Sequence, residues 1–229
     1  MLPVCEIFNS IDGEGVFAGH LAVFVRLYGC NLRCSYCDTQ YSCLMDKSKL
    51  ENTERIIKEI KRLCPNCNRV TITGGEPLLH GEALSEFISD LNRHFGISNG
   101  LHINIETNGS YKIDDYLLDN VTITMDCKSP SSGCFDRMLG HNLDVIRPDD
   151  VLKFVVREED FSWLNKFLRF ARPRCRIFIS PVFGKCDPVK IVELMKNLQK
   201  DDDVCDIIKR SRFQLQLHKI IWEPDKRGV

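Results

Sequence analysis

Leu21-Ala22-Val23-Phe24-Val25-Arg26-Leu27 runs directly into Tyr28-Gly29-Cys30-Asn31-Leu32-Arg33-Cys34-Ser35-Tyr36-Cys37-Asp38-Thr39. The first seven residues are β-branched, aromatic or aliphatic around one cation, the composition of a strand. The stretch after them carries three cysteines at C-x3-C-x2-C spacing. Three thiolates so placed wrap one face of a cubane iron–sulfur cluster. An ordinary 4Fe–4S cluster takes four cysteines, so three leave one iron open to bind a substrate or cofactor. Structural zinc closes a tetrahedron with four ligands and would need a distant fourth. On a third reading the cysteines are small buried apolar residues.

Further strand-like runs lie at Val70–Thr73, His102–Ile105, Val121–Met125, Val151–Val156, Arg176–Ser180 and Phe213–Leu217. Helical patterns alternate with some of them. Thr53 is placed to cap a helix whose Ile56, Ile57, Ile60 and Leu63 share one face, and Leu84, Phe87, Ile88 and Leu91 do the same in the next. Phe161–Ala171 and Pro188–Leu198 are two more helix candidates. Alternating strand and helix gives the α/β class with a mainly parallel sheet. Segments 131–150 and 201–203 read as loops, and there is no repeat, low-complexity tract or linker. Thr73 leads into Gly74-Gly75, Glu106 into Thr107-Asn108-Gly109, and Asp126 into Cys127-Lys128. In parallel α/β folds such strand C-terminal ends carry the chemistry.

At 229 residues, 43% hydrophobic and 28% charged, the chain can bury a core and is not disordered. Thirty-one basic against 32 acidic residues leave a formal charge of −1, so no global basic field would hold a nucleic acid. No apolar run approaches the ~20 residues of a membrane span. The N-terminus lacks a signal-peptide pattern, so the cytosol is the expected compartment. Twelve cysteines there are not expected to form a disulfide framework. Cys64-Pro65-Asn66-Cys67 could clasp zinc with Cys5 or Cys43, or act as a redox pair; idle thiols are the favoured reading. Cys134, Cys175, Cys186 and Cys205 carry no spacing signal.

A C-x3-C-x2-C triplet with an aromatic residue, Tyr36, just before the third cysteine resembles the signature of radical S-adenosylmethionine enzymes. A narrower resemblance runs along the chain. Glu6-Ile7-Phe8-Asn9-Ser10-Ile11-Asp12-Gly13-Glu14-Gly15 resembles the N-terminal segment of the 7-carboxy-7-deazaguanine synthases. Phe24–Asn31 is similar to that family's strand before the cluster. Thr71–Leu78 is similar to its T-G-G-E-P motif, and Glu106–Gly109 to its E-T-N-G. Lys128–Gly133 is similar to its K-x-P-S-S-G, and Gln216–Lys219 to its Q-x-H-K. These matches run in order from residue 6 to residue 219.

The resemblance implies a partial, open (β/α)6 barrel, one domain over residues 1–229. A short C-terminal tail around Trp222-Glu223-Pro224 would cover its mouth. Cys30, Cys34 and Cys37 would hold the 4Fe–4S cluster, whose open iron chelates S-adenosylmethionine, and Thr39 would bind Mg²⁺. Tyr36, Asp38, Gly74, Gly75, Glu76, Glu106, Asn108, Asp126, Cys127, Lys128 and Ser180 would contact the cofactor. Ile11, Asp12, Gly13, Glu14, Arg26, Thr73, Gln216 and His218 would contact the substrate. Relatives often carry Ser-Pro-Lys where this chain has Asp126-Cys127-Lys128, Gln-Pro at Ser180-Pro181, and glutamine at Asp12. From the residues alone, Gly-Gly-Glu-Pro and Asn-Gly are also good turn chemistry, and Arg26 could point to solvent.

The implied reaction converts 6-carboxy-5,6,7,8-tetrahydropterin to 7-carboxy-7-deazaguanine with loss of ammonia, a step towards queuosine, archaeosine or another 7-deazapurine. A 5′-deoxyadenosyl radical would take hydrogen from C6 of the pterin. An electron donor of flavodoxin or ferredoxin type and a homodimer belong to the same expectation, with no nucleic-acid or membrane partner. Two rivals remain at this point. One is an activase that makes a glycyl radical on a protein partner. The other is a non-enzymatic iron–sulfur or zinc module.

Overall fold

The computed structural model describes residues 1–96 and 100–229. In chain order its strands are β1 (Leu2–Ile11), β2 (Leu21–Leu27), β3 (Leu50–Glu51), β4 (Arg69–Gly74), β5 (His102–Thr107), β6 (Val121–Asp126), β7 (Val151–Val156), β8 (Arg176–Pro181) and β9 (Ser211–Phe213). The helices are α1 (Thr53–Leu63), α2 (Gly81–Phe95), α3 (His141–Val145), α4 (Phe161–Ala171), α5 (Pro188–Leu198), α6 (Cys205–Arg210) and α7 (His218–Ile221). The strands share one sheet in the order β3-β1-β2-β4-β5-β6-β7-β8-β9. From β2 to β9 every pairing is parallel, and β1 is antiparallel to both β2 and β3. The ends, β3 and β9, are not paired to each other, so the barrel is open.

Residue alternation explains which face does what. Val70 and Ile72, Ile103 and Ile105, Ile123 and Met125, and Leu152 and Phe154 all belong to the main core, together with the apolar faces of α1, α2 and α4. The residues between them point the other way: Thr71 and Thr73, Asn104 and Glu106, Thr124 and Asp126, and Lys153. The period of two places one set in oil and the other on the inner wall. On β2, the same rule sends Val23, Val25 and Leu27 to the core, with Phe24 and Arg26 on the inner side. Inner polar groups pair across strands. Thr124 donates to Asn104 at 2.8 Å and Thr73 to Glu106 at 2.6 Å. The register of β1 shifts between Val4 and Glu6. Such a bulge resets parity; Leu2 and Val4 join the main core before it, and Phe8 stacks on Phe24 after it, with centroids 5.0 Å apart.

Several sequence expectations need correction. Strand β1, ten residues long, has no counterpart among the expected strands, because its motif masked its periodicity. Asn52, not Thr53, caps α1: its side chain accepts the Arg55 N–H at 2.8 Å, while the Thr53 hydroxyl donates to Asp90 on α2. The crossover from β5 to β6, for which no helix was expected, has a 3₁₀ turn at Asp114–Tyr116. Segment 131–150 is not only loop; it contains α3. The expected strand at Phe213–Leu217 is replaced by β9, ending at Phe213, because Gln214 turns away to bind Gly15 at 2.9 Å. Among the described residues, no helix is long and apolar enough to cross a membrane.

Candidate active site

A cavity of about 450 Å³ opens at the C-terminal ends of the parallel strands, within the range of small-molecule sites. Its wall includes Cys30, Cys34, Tyr36, Cys37, Asp38 and Thr39 from the segment after β2. Neighbouring elements hold that segment. The Cys30 N–H donates to the Cys43 carbonyl at 3.0 Å, and Ser35 N–H to the Ser132 carbonyl at 2.9 Å. Tyr36 donates its hydroxyl to the Val155 carbonyl at 3.1 Å. Around Cys30 Sγ lie the Leu32 N–H at 3.4 Å and the Asn108 amide at 3.9 Å, donors that suit a thiolate. Burial pushes the Cys34 thiol up to about 12 against the pull of Lys128. A bound metal therefore has to displace its proton. No three His, Cys, Asp or Glu side chains among the described residues gather as a site for a metal ion. A cubane offers separate irons to separate thiolates, and three wall thiols beside N–H donors fit that group. A fourth thiol, which the sequence reading named only as a possible partner of Cys64 and Cys67, is here: Cys43 lies 4.0 Å from Cys37 and also lines the cavity.

Gly74 and Gly75 line the cavity where β4 ends. Their lack of a side chain is used against the protein's own backbone. A Cβ on Gly75 would lie 2.1 Å from the Gly29 carbonyl oxygen, and one on Gly74, at φ +132°, 2.2 Å from that of Leu27. Glu76 follows this glycine pair. Its fully buried carboxylate accepts from Leu78 N–H at 3.0 Å, from the Thr107 hydroxyl at 2.7 Å and from Asn108 N–H at 2.7 Å. It ties the β4 and β5 turns together and does not reach the cavity wall. Cys127 is likewise packed in the main core. Ser180 is fully buried, with its hydroxyl unpartnered among the described residues. None of these three is among the residues that line the cavity.

Ile11, Asp12, Gly13 and Glu14, in the segment leaving β1, line the opposite part of the wall with Thr73, Glu106, Asn108 and Arg26. Arg26 points inward, not to solvent, and its Nε donates to Glu6 at 2.7 Å, while Tyr41 donates to the same Glu6 oxygen at 2.9 Å. Thr39 Oγ1 lies 3.7 Å from Cys37 Sγ; the turn that follows is closed by the Thr39 carbonyl, leaving its hydroxyl at the cavity. Asp126 pairs with Lys128 at 3.0 Å. Gln216 and His218 line the wall too, and a Cβ on Gly13 would lie 2.3 Å from His218 Nδ1. Lys219 binds Asp38 at 2.6 Å, so the carboxylate of Asp38 is engaged within the protein. From the C-terminal segment, Pro224, Asp225 and Val229 line the cavity, and the Arg227 guanidinium lies 3.8 Å from the Tyr41 ring centre. Trp222 is not among the lining residues. Lys153 and Arg157 also line the cavity and were missed; the one cation inside Val151–Val156 was the available signal for Lys153.

Asp12 is almost wholly buried, accepting from the Thr71 hydroxyl at 3.0 Å. Burial and then the nearby Glu106 raise its pKa to about 7. A carboxyl that binds its proton more tightly folded than unfolded contributes fully to stability below about pH 4 and loses that contribution as the pH rises through about 7. Asp12→Asn keeps a neutral partner for Thr71. Urea denaturation of this variant should lack the part of the stability loss between about pH 5 and 8 that the Asp12 carboxyl causes. At pH 8 it should exceed the parent by on the order of a few kcal/mol. An equally steep pH dependence in both proteins would refute the assignment.

The radical SAM superfamily model matches residues 24–172. The 7-carboxy-7-deazaguanine synthase of Clostridium acetobutylicum is 38% identical over 99% of this chain and 98% of its own length. That of Methanospirillum hungatei is 36% identical over 97% and 86%. Among solved structures, QueE from Escherichia coli superimposes with a TM-score of 0.67 at 24% identity, covering 93% of each chain. The anSMEcpe enzyme with AdoMet and a peptide bound gives 0.56 at 18% identity, over 80% of this chain and 60% of its own. These two likenesses establish the fold, an open α/β sheet of the radical SAM kind. The superfamily's 4Fe–4S cluster and S-adenosylmethionine account for the cysteine-lined wall. With its superfamily match across most of its length and its similarity to named relatives from end to end, the chain belongs to the 7-carboxy-7-deazaguanine synthase family of radical S-adenosylmethionine enzymes.

Proposed function

We propose that this protein is a lyase converting 6-carboxy-5,6,7,8-tetrahydropterin to 7-carboxy-7-deazaguanine and ammonia. The observation that carries the reading is one cavity whose wall joins the cysteine loop to the acids of the segment after β1 and of β5. When bound, the cluster and S-adenosylmethionine supply the one-electron chemistry that removes a hydrogen atom from the pterin. Every other task falls to the chain. The Gly74-Gly75 turn and Asn108 hold the cofactor against the cysteine loop. Glu14 and Glu106 accept N–H groups of the pterin ring, and Arg26 offers a cation to its carboxylate. Thr39 would offer its hydroxyl to Mg²⁺, a hard ligand for a hard ion. The electron comes from a flavodoxin- or ferredoxin-type donor, and the working form is a homodimer.

The test is anaerobic turnover. Protein reconstituted with iron and sulfide is reduced and given S-adenosylmethionine, Mg²⁺ and 6-carboxytetrahydropterin. Mass spectrometry should then find 7-carboxy-7-deazaguanine. Appearance of 5′-deoxyadenosine without the deazaguanine would mean another substrate. Absence of both, with an intact cluster, would overturn the reading.

A further inference from the structure

Lys153 sits in the middle of β7, between residues packed in the main core, and its side chain is 6% exposed. Its ammonium lies 3.1 Å from Glu14 Oε2 and 3.3 Å from Asp126 Oδ1. Asp126 has a second cation, Lys128, at 3.0 Å, whereas Lys153 is the only cation paired with Glu14 among the described residues. The other oxygen of Glu14, Oε1, is buried and has no hydrogen-bond partner among the described residues. Glu14 also makes no capping bond to the 3₁₀ turn it precedes. Ion pairs buried only for stability are often replaced without loss by apolar side chains. Here the pair leaves a bare acceptor on a residue of the cavity wall, and that arrangement costs free energy until a donor arrives.

We infer that Lys153 is a positioning residue: it holds Glu14 by one carboxylate oxygen so that the other accepts an N–H from a cyclic ligand in the cavity. Taking that ligand as a pterin rests on the proposed function. Guanine carries the same amino and ring N–H pair and serves as an independent probe. The pairing spans β7, β6 and the segment after β1, so Lys153 also sets that segment against the strand whose Asp126 faces the cofactor side. Without the ammonium, Asp126 keeps Lys128 but Glu14 is left unpaired. The loss should therefore fall on one ligand and not on the other.

The experiment is calorimetry on the anaerobic, cluster-loaded protein, titrated separately with S-adenosylmethionine, 6-carboxytetrahydropterin and guanine. Lys153→Met should raise the pterin Kd about 30-fold or more, as expected for breaking a buried charged contact. The S-adenosylmethionine Kd should move by less than about threefold, since Lys128 remains with Asp126. A merely structural lysine would weaken both alike. Lys153→Gln and the double variant Glu14→Gln/Lys153→Met guard against misfolding, the double because it carries no lone buried charge. The double should bind pterin no more weakly than Glu14→Gln alone. Pterin affinity unchanged in Lys153→Met or Lys153→Gln, or losses that add in the double, would overturn the inference. If the wild type binds guanine but not the pterin, the substrate reading fails while guanine still reads Lys153; if it binds neither, both fall.

Discussion

Cys34→Ala should yield a folded protein that holds no intact cluster and makes neither 5′-deoxyadenosine nor deazaguanine. The loop around Cys34 does not depend on its thiol for shape. Ser35 is clamped to Ser132 by its N–H and to the Ser131 carbonyl by its hydroxyl, at 2.9 and 2.6 Å. Tyr36 reaches Val155 independently. Thermal unfolding should therefore move little while the visible absorption of the cluster and all turnover disappear, the signature of a lost metal ligand and not a lost fold. Cys43→Ala is the informative partner. Cys43 lies 4.0 Å from Cys37 but outside the triplet, so its loss should leave the cluster in place. A cluster retained in Cys34→Ala and lost in Cys43→Ala would mean that the ligand set has been misread.

Gly75→Ala should cost about 100-fold or more in turnover and lower the melting temperature as well. The new Cβ would lie 2.1 Å from the Gly29 carbonyl oxygen and 2.5 Å from its carbon. Both are backbone atoms, so neither can swing aside. The same turn donates Gly75 N–H to Leu27 at 3.0 Å and Glu76 N–H to Gly29 at 2.7 Å. Relief of the clash thus pushes the β4 end away from Cys30, and a displacement of about 1 Å between cofactor-holding groups costs about 100-fold. Gly140→Ala, where nothing lies within 4 Å of the added methyl, is the control and should behave as wild type. Wild-type turnover in Gly75→Ala, measured by 5′-deoxyadenosine release, would show that the turn and the cysteine loop are not coupled as described.

Much of the site was legible because it is local. The cysteine spacing, the glycine pair after Val70–Thr73 and the polar residues after Ile105 and Met125 lie within a few positions of a strand end. The parallel sheet carries those ends to one side. Legibility failed where a residue's partner is distant in sequence. Asp38 and Glu76 sit in motifs, yet no neighbour in sequence names their partners in the fold: Asp38, on the cavity wall, binds Lys219, and Glu76 binds the β5 turn. A motif records that a residue type is required, and an internal partner requires it as strictly as a ligand does. Lys153 shows the converse. One cation in an apolar strand signals a buried charge, but nothing nearby in sequence names Glu14, 139 residues away, as its partner.

The sequence by itself determined strands β2 and β4 to β8, helices α1, α2, α4 and α5, the parallel α/β class and the spacing of the cysteine loop. Each of these rests on periodicity or spacing over fewer than a dozen residues, and local backbone geometry translates such patterns directly. Only the tertiary structure decided which polar residues face the cavity and which hold other residues in place, why β9 stops at Phe213, and where the C-terminal residues close against Gly13, Asp38 and Tyr41. Those outcomes depend on which groups the sheet order makes neighbours in space. A buried carboxylate or ammonium takes the counter-charge or donor that packing brings to it, and its own stretch of sequence does not specify which.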